Sequence, residues 1–474
     1  MSSSSSSSQV RVLGVSRVQP DEAAVVGGAW PPSRAVELSF FDSFNVSKAP
    51  IQRLFFYEGD SIPPFQAIVR SLKSSLAAAL AVFLPLAGTL AYLPDSGDVV
   101  IDFSPDAVSS SGVEFVEAEY SGGVGDMRRL ASDEEHNVEA FMQLVPELVV
   151  GRLPSLILAV QVTRPRDERA TATGAVAVGV AIHHAVADGQ SVWQFIKAWV
   201  AAARGGSPAG APGLVPPTFD RSMVRHPTAD GRAIARGILH KMSPALPVVT
   251  LHSKPIDMAQ QRRRTFFLSA GEIQSLKQRI SESKSGREQL HNRLSTYVAI
   301  TSLAWTSVVR AKSLDADDDV YFMVSADCRR RLRPPADEGY FGNCVSVAIA
   351  RASAGDLCGG DDVAGLAHAA AAIQTAIRED LEDPVPDAQR LGSRLAAIPK
   401  GRMTVAGSSH RYMAYEADFG WGAPSRVELV TVYGDELVSL LGAAGGGVQV
   451  SAVLGGAHMD AFAANFRRQL LAPA

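Results

Sequence analysis

Between Ala201 and Pro217 the chain consists of little besides Ala, Gly, Ser and Pro, and the same kind of pattern stands on either side of that stretch. Such a composition punctuates rather than packs, so it reads as a linker. Before it and after it, short apolar runs intermingle with helical periodicity, which predicts two α/β domains of similar size. A chain of 474 residues has ample material for both cores. The expected division is a disordered Ser-rich tail over 1–9, an N-terminal domain over 10–203, a linker or crossover over 204–245, and a C-terminal domain over 246–474.

In the first half, Pro63-Pro64 opens a helix with Ile68, Leu72, Leu76 and Leu80 on one face. The apolar segments Ser155–Arg164 and Ala175–Ile182 flank a charged, Thr-rich stretch, which predicts a hairpin with a long exposed loop. Val192, Phe195, Ile196, Trp199 and Val200 then mark the core-facing stripe of a helix. Beyond the linker, Leu294–Val309 and Ala364–Ile377 read as helices, and a terminal helix carries Phe462, Phe466 and Leu470. Runs at 320–324, 344–348, 427–433, 436–441 and 448–454 read as strands.

A net charge of −4 offers no electrostatic footprint for nucleic acid or an anionic membrane. The cysteines, Cys328, Cys344 and Cys358, are odd in number and lack metal-ligand spacing, which points to a reducing compartment. The serine tract Ser2–Ser8 has no apolar core of the kind a secretory signal needs. The longest apolar run, Leu76–Leu93, is about the length of a membrane span but is broken by Pro85 and Gly88, so it reads as a buried helix. A cytoplasmic protein is expected.

The chemistry concentrates where the run Ala175–Ile182 ends in His183-His184-Ala185-Val186-Ala187-Asp188-Gly189. A strand that delivers a histidine, an aspartate four residues on and a turn glycine can fix an imidazole as a general base. Gly189 is expected to permit the sharp exit from the loop. By strand alternation His183 faces away from His184 and packs. Adjacent strand residues cannot converge on one ion, so a metal site is not expected. Neither a Gly-x-Ser-x-Gly elbow nor a phosphate-binding Gly motif occurs. That leaves His184 to activate a substrate's own nucleophile. Tyr340–Cys344 and Asp418-Phe419-Gly420-Trp421-Gly422 are aromatic-glycine loops whose glycines suit positive φ. The run Arg329-Arg330-Arg331-Leu332-Arg333 could supply a guanidinium for Asp188 or for an anionic substrate.

In order along the chain, Leu38–Asp42, Pro50–Tyr57, Pro85–Gly88, His184-x-x-x-Asp188, Leu294–Ala299, Asp327-Cys328-Arg329 and Asp418–Gly422 together resemble the plant BAHD acyl-CoA-dependent acyltransferases. The resemblance implies two chloramphenicol acetyltransferase-like domains, each a mixed β-sheet flanked by helices, with the active-site channel between them. It implies that His184 takes the proton of an acceptor hydroxyl or amine, which attacks the thioester of an acyl-CoA in a ternary complex. It further implies that Asp188 pairs with Arg329 as structural support, and that the Asp418–Gly422 loop is structural and lies away from the base.

Tyr340–Cys344 and Arg53–Tyr57 resemble the branch that acylates anthocyanin and other flavonoid or phenolic glucosides, whose commonest donor is malonyl-CoA. Small residues at Ala406–Ser409, where hydroxycinnamoyl-transferring relatives carry Thr-Ser-Trp, agree with that branch. Ser408 and Asn343 are the residues placed in the substrate or oxyanion region. No cofactor is implied beyond acyl-CoA as co-substrate, and the partners implied are that donor and a small-molecule acceptor of a monomer. A hydroxycinnamoyl-CoA transferase acting on a phenolic, alcohol or amine stays open. So do a peptide-synthetase condensation domain, which shares the His-His-x-x-x-Asp-Gly motif, and a non-catalytic binding protein on the same fold.

Overall fold

The structure is a computed structural model and describes residues 8–21, 33–166, 174–211, 213–227, 229–251, 260–290, 293–359, 362–385 and 388–471. Two six-stranded mixed sheets dominate it. The first follows the order Val10–Val18, Val113–Tyr120, Leu158–Pro165, Ala175–Ile182, Ile51–Glu58 and Arg426–Leu429. The second runs Gln261–Leu268, Val448–Gly455, Leu437–Gly442, Met403–Ala406, Asp319–Asp327 and Val345–Ser353. A smaller four-stranded sheet over 35–37, 89–93, 98–102 and 155–156 sits beside the first.

The strand Ala175–Ile182 is central and buried at every residue. It pairs antiparallel with Leu158–Pro165 on one side, forming the expected hairpin, and with Ile51–Glu58 on the other. A strand covered on both faces has no polar side to show, which is why its sequence is an uninterrupted apolar run. One cover is the helix Phe65–Val82, followed by a short 3-10 turn through Pro85. It is long and apolar enough to cross a membrane, yet its face of Ile68, Leu72, Leu76 and Leu80 lies in the protein core. The helix Gly189–Ala203 packs alongside it, and Trp199 donates its indole N–H to the Ser75 hydroxyl at 3.1 Å.

The second sheet carries the helices Ala270–Glu282, Thr296–Arg310, Asp362–Asp380 and Gly456–Leu471, which share one core with it. Two features depart from the expected division. Arg426–Leu429 lies in the C-terminal half of the chain but pairs antiparallel with Ile51–Glu58 in the first sheet, so the halves are interlocked. The stretch 204–245 is not an open tether, because the helix Gly231–Met242 lies in it and packs on the helical turn Phe40–Ser43. Its apolar residues Ala235 and Ile238 have partners there in Phe40 and Phe41. The tail through Ser7 lies outside the described residues. Ser8 and Gln9 are held at the end of the first strand by the Gln143 side chain.

Candidate active site

At the end of Ala175–Ile182 the two histidines separate. His183 is fully buried, its N–H donates to the Ile157 carbonyl, and its Nδ1 accepts from the Ala185 N–H at 3.2 Å. Burial lowers its pKa to about 4. The His184 ring meets the Tyr433 ring edge-on, with centroids 5.2 Å apart. Its Nδ1 is buried with no partner in any other described residue, and the backbone acceptor beside it is its own. A proton held there leaves the Nε2 lone pair available. Burial, helped by the charge of Lys48, brings the His184 pKa down to about 3, so the imidazole is neutral at physiological pH.

Asp188 caps the helix Gly189–Ala203, Oδ1 accepting from the Ser191 N–H at 3.0 Å. Arg329 grips the same carboxylate with both terminal nitrogens, Nη1 to Oδ2 at 2.9 Å and Nη2 to Oδ1 at 3.1 Å. The Cys344 N–H supplies a fourth bond, at 3.0 Å to Oδ2. Burial alone would raise this carboxyl, but the Arg329 charge and these donors hold it below its ordinary value. Of the arginines in the basic run only Arg329 is buried. Arg330 forms a surface pair with Glu338 at 2.5 Å, and Arg331 donates to the Leu381 carbonyl at 3.5 Å.

The loop Tyr340–Cys344 forms the other side of this junction. Ser191 Oγ donates to the Gly342 carbonyl and accepts from the Gly342 N–H, both at 3.0 Å. Asn343, placed by the resemblance in the substrate or oxyanion region, donates its side-chain amide to Asp42 Oδ1 and to the backbone carbonyl of His184, both at 2.9 Å, and the residue is 2 % exposed. Asn343 therefore holds the histidine loop. Asp42 receives the Asn343 N–H as well and pairs with Arg221 at 2.9 Å. Gly342 takes no positive φ; a Cβ there would strike the Arg221 guanidinium at 2.7 Å. Asp42 and Arg221 had no assigned role in the sequence, because nothing local marks a contact between residues so far apart.

Gly189 also differs from expectation. It takes no positive φ and opens the helix, but a Cβ on it would lie 3.0 Å from the Tyr412 hydroxyl. Space, not backbone freedom, is what this glycine provides. Ser408 stands between the two halves and accepts from Arg53 Nη2 at 3.5 Å.

The Asp418–Gly422 loop docks elsewhere. Asp418 Oδ1 accepts from the N–H groups of Gly420 and Gly422, both at 2.8 Å, and those glycines have φ of 104° and 107°. Phe419 meets Trp199 at 4.8 Å and stacks on Trp421 at 5.7 Å. Trp199 lies ten residues along the helix from Gly189, about 15 Å at the helical rise. This loop reaches the far end of the helix, not the histidine.

Among the described residues no group of three or more His, Cys, Asp or Glu side chains is placed to hold a metal ion. A cavity of about 650 Å³ lies along Val36, Leu84, Pro85, Phe219 and Arg221, and His184 is not part of its lining.

The Transferase family model matches residues 21–469. The malonyl-CoA:anthocyanidin 5-O-glucoside-6''-O-malonyltransferase of Arabidopsis thaliana is 31 % identical over 97 % of this chain and 98 % of its own length. The agmatine coumaroyltransferase of the same plant is 28 % identical over 96 % of this chain and 98 % of its own. The crystal structure of vinorine synthase superposes with a TM-score of 0.69 at 20 % identity, covering 96 % of both chains.

Proposed function

The chain belongs to the BAHD acyl-CoA-dependent acyltransferases, and from that premise we propose that it moves a malonyl group from malonyl-CoA to a hydroxyl of a flavonoid, anthocyanin or phenolic glucoside. His184 is the general base. It receives the acceptor hydroxyl proton at Nε2 as the oxygen attacks the thioester carbon. The tetrahedral intermediate then collapses with loss of the CoA thiolate, and the imidazolium returns its proton to that sulfur. No cofactor is used beyond acyl-CoA as co-substrate. The working form is a cytoplasmic monomer.

The observation that carries this reading is the setting of His184. A neutral imidazole stands at the seam of the two halves, and its backbone is held by Asn343 from the second half. A base must be unprotonated before the reaction, which burial favours at His184, and the Asn343 bond to its carbonyl supports the loop that carries it. Asp188 is not a relay in this scheme, since all four bonds to its oxygens go to Ser191, Arg329 and Cys344.

A second reading, transfer of a hydroxycinnamoyl group to an amine or alcohol, is supported by the likeness to the coumaroyltransferase. Thiol release by the purified chain separates the two. The donors are malonyl-CoA, acetyl-CoA and p-coumaroyl-CoA, the acceptors are phenolic and flavonoid glucosides and simple amines, and His184→Ala is the blank. Turnover of malonyl-CoA with a glucoside, absent in the blank, supports the first reading. Turnover confined to p-coumaroyl-CoA overturns it.

A further inference from the structure

Along the strand Ile51–Glu58 the residues Ile51, Phe55 and Tyr57 enter the main core, and Arg53 shares their face. The Arg53 side chain is a cation where its neighbours are hydrocarbon, and the residue is 3 % exposed. Among the described residues its Nε and Nη1 are buried with no hydrogen-bond partner. Its Nη2 has only the Ser408 hydroxyl, at a long 3.5 Å.

Other buried arginines of this chain are better matched. Arg329 has Asp188, Arg426 has Glu428 and Arg221 has Asp42. Arg263 and Arg279 also leave nitrogens unpaired, but each donates to backbone carbonyls at 2.7 and 2.9 Å. Glu428, whose charge Arg53 feels, already spends its oxygens on Arg426, Thr265 and Ser451. A buried charge without a counter-ion is expensive, and a protein retains one where a ligand completes it.

The surroundings indicate which ligand. The guanidinium lies 5.5 Å over the ring of Trp193, on the helix that Asp188 caps. Tyr412 packs against both Trp193 and Gly189. Tyr433 borders the His184 ring, and Arg53 lies opposite Val180 on the strand that delivers the histidine. Arg53 thus belongs to the wall that begins at the histidine. A guanidinium fork matches a carboxylate with two parallel hydrogen bonds, made by Nη2 together with Nε or Nη1; both of the latter are free here, and Nη2 has only the long Ser408 contact to exchange. In a malonyl thioester the carboxylate stands one methylene from the reacting carbonyl, so its receptor must lie beside the base.

We propose that Arg53 is the receptor for the free carboxylate of a dicarboxylic acyl-CoA donor and sets the preference for it over an uncharged acyl group. This rests on the malonyl reading of the donor.

Equilibrium binding of malonyl-CoA, acetyl-CoA and free CoA to the full chain and to Arg53→Gln and Arg53→Lys tests it without an acceptor. The wild type is expected to favour malonyl-CoA over acetyl-CoA by roughly ten- to a hundredfold, the worth of a charged hydrogen-bond pair. Arg53→Gln should bring that ratio close to one, and Arg53→Lys should keep part of it. Because only the long Ser408 contact and the Trp193 ring face are given up, Arg53→Gln should melt close to the wild type. If it fails to fold, that expectation is wrong and the role is structural. A wild type without preference, or a ratio untouched in Arg53→Gln, overturns the proposal, as does an equal loss for free CoA, which would place Arg53 on the CoA phosphates. Malonyl-CoA turnover with an Arg53-independent ratio sinks this inference and leaves the proposed function standing. An Arg53-dependent ratio with no glucoside turnover does the reverse.

Discussion

Arg329 reaches from the second half of the chain into the first and takes both carboxylate oxygens of Asp188, at 2.9 and 3.1 Å. Both side chains are almost wholly buried. Removing one partner of such a pair strands the other charge, at a cost of about 3–5 kcal/mol. Asp188→Ala also removes the helix cap, so it should be the more damaging of the two. Urea melts of Asp188→Ala and Arg329→Met should both show midpoints well below the wild type, and activity should fall with the folded fraction. A stable Asp188→Ala that has lost turnover would instead make Asp188 a catalytic residue.

His184→Ala separates in the opposite direction. If its Nε2 is the base, thiol release should drop by about 10²–10⁴. Its Nδ1 has no partner in another residue, so no bond across the fold is lost and the melt should stay close to wild type. Retention of more than a tenth of wild-type turnover would remove His184 from the mechanism.

Acid should act on stability through histidines that are neutral when folded. Burial takes His136 and His183 to about 4, well below the value of about 6.5 that each regains in the unfolded chain. Above that unfolded value neither state binds the proton and nothing is lost. As pH falls from about 6.5 toward 4, only the unfolded chain is protonated. Stability should then decline by up to roughly 1.4 kcal/mol per pH unit for each histidine. Urea melts at pH 7.5, 6 and 5 should trace that fall, and His183→Asn should make it shallower. A midpoint constant over this range would contradict the buried neutral state.

Asn343 offers a test of positioning. Its amide joins Asp42 to the His184 carbonyl, so Asn343→Ala should loosen the loop without touching the imidazole. Turnover should fall with little change in the KM for acyl-CoA, whereas Asn343→Asp, which retains one acceptor but no amide donor, should not rescue it. A rise in KM alone would return Asn343 to the substrate surface.

What the sequence made legible follows its periodicities. Ala175–Ile182 and the stripe on Gly189–Ala203 were readable because burial on two faces, or on one, leaves a distinct apolar pattern. The strand Gln261–Leu268 was not, since its consecutive arginines hide the alternation and Arg263 is itself buried. The insertion of Arg426–Leu429 into the first sheet was equally hidden, because strand pattern carries no address for its partner. At the site, His184, Asp188 and Arg329 stood out by motif. Asp42 and Asn343 are 301 residues apart, and no spacing rule joins them.

Gly189 and Tyr412 give the most direct check on the close packing beside the histidine. A Cβ at 189 would sit 3.0 Å from the Tyr412 hydroxyl, 3.1 Å from Cε2 and 3.3 Å from Cζ, tighter than ordinary contact. Since the backbone there is compatible with any residue, Gly189→Ala strains only this contact, and an overpacked site typically loses about 1–3 kcal/mol. Tyr412→Phe removes the nearest of the three atoms and nothing else. The double variant Gly189→Ala/Tyr412→Phe should therefore recover part of the lost stability, a coupling that a cycle of the two single variants measures. Strict additivity would mean that the tyrosine does not occupy this position. The glycine would then have to be explained by the shape of the bound donor.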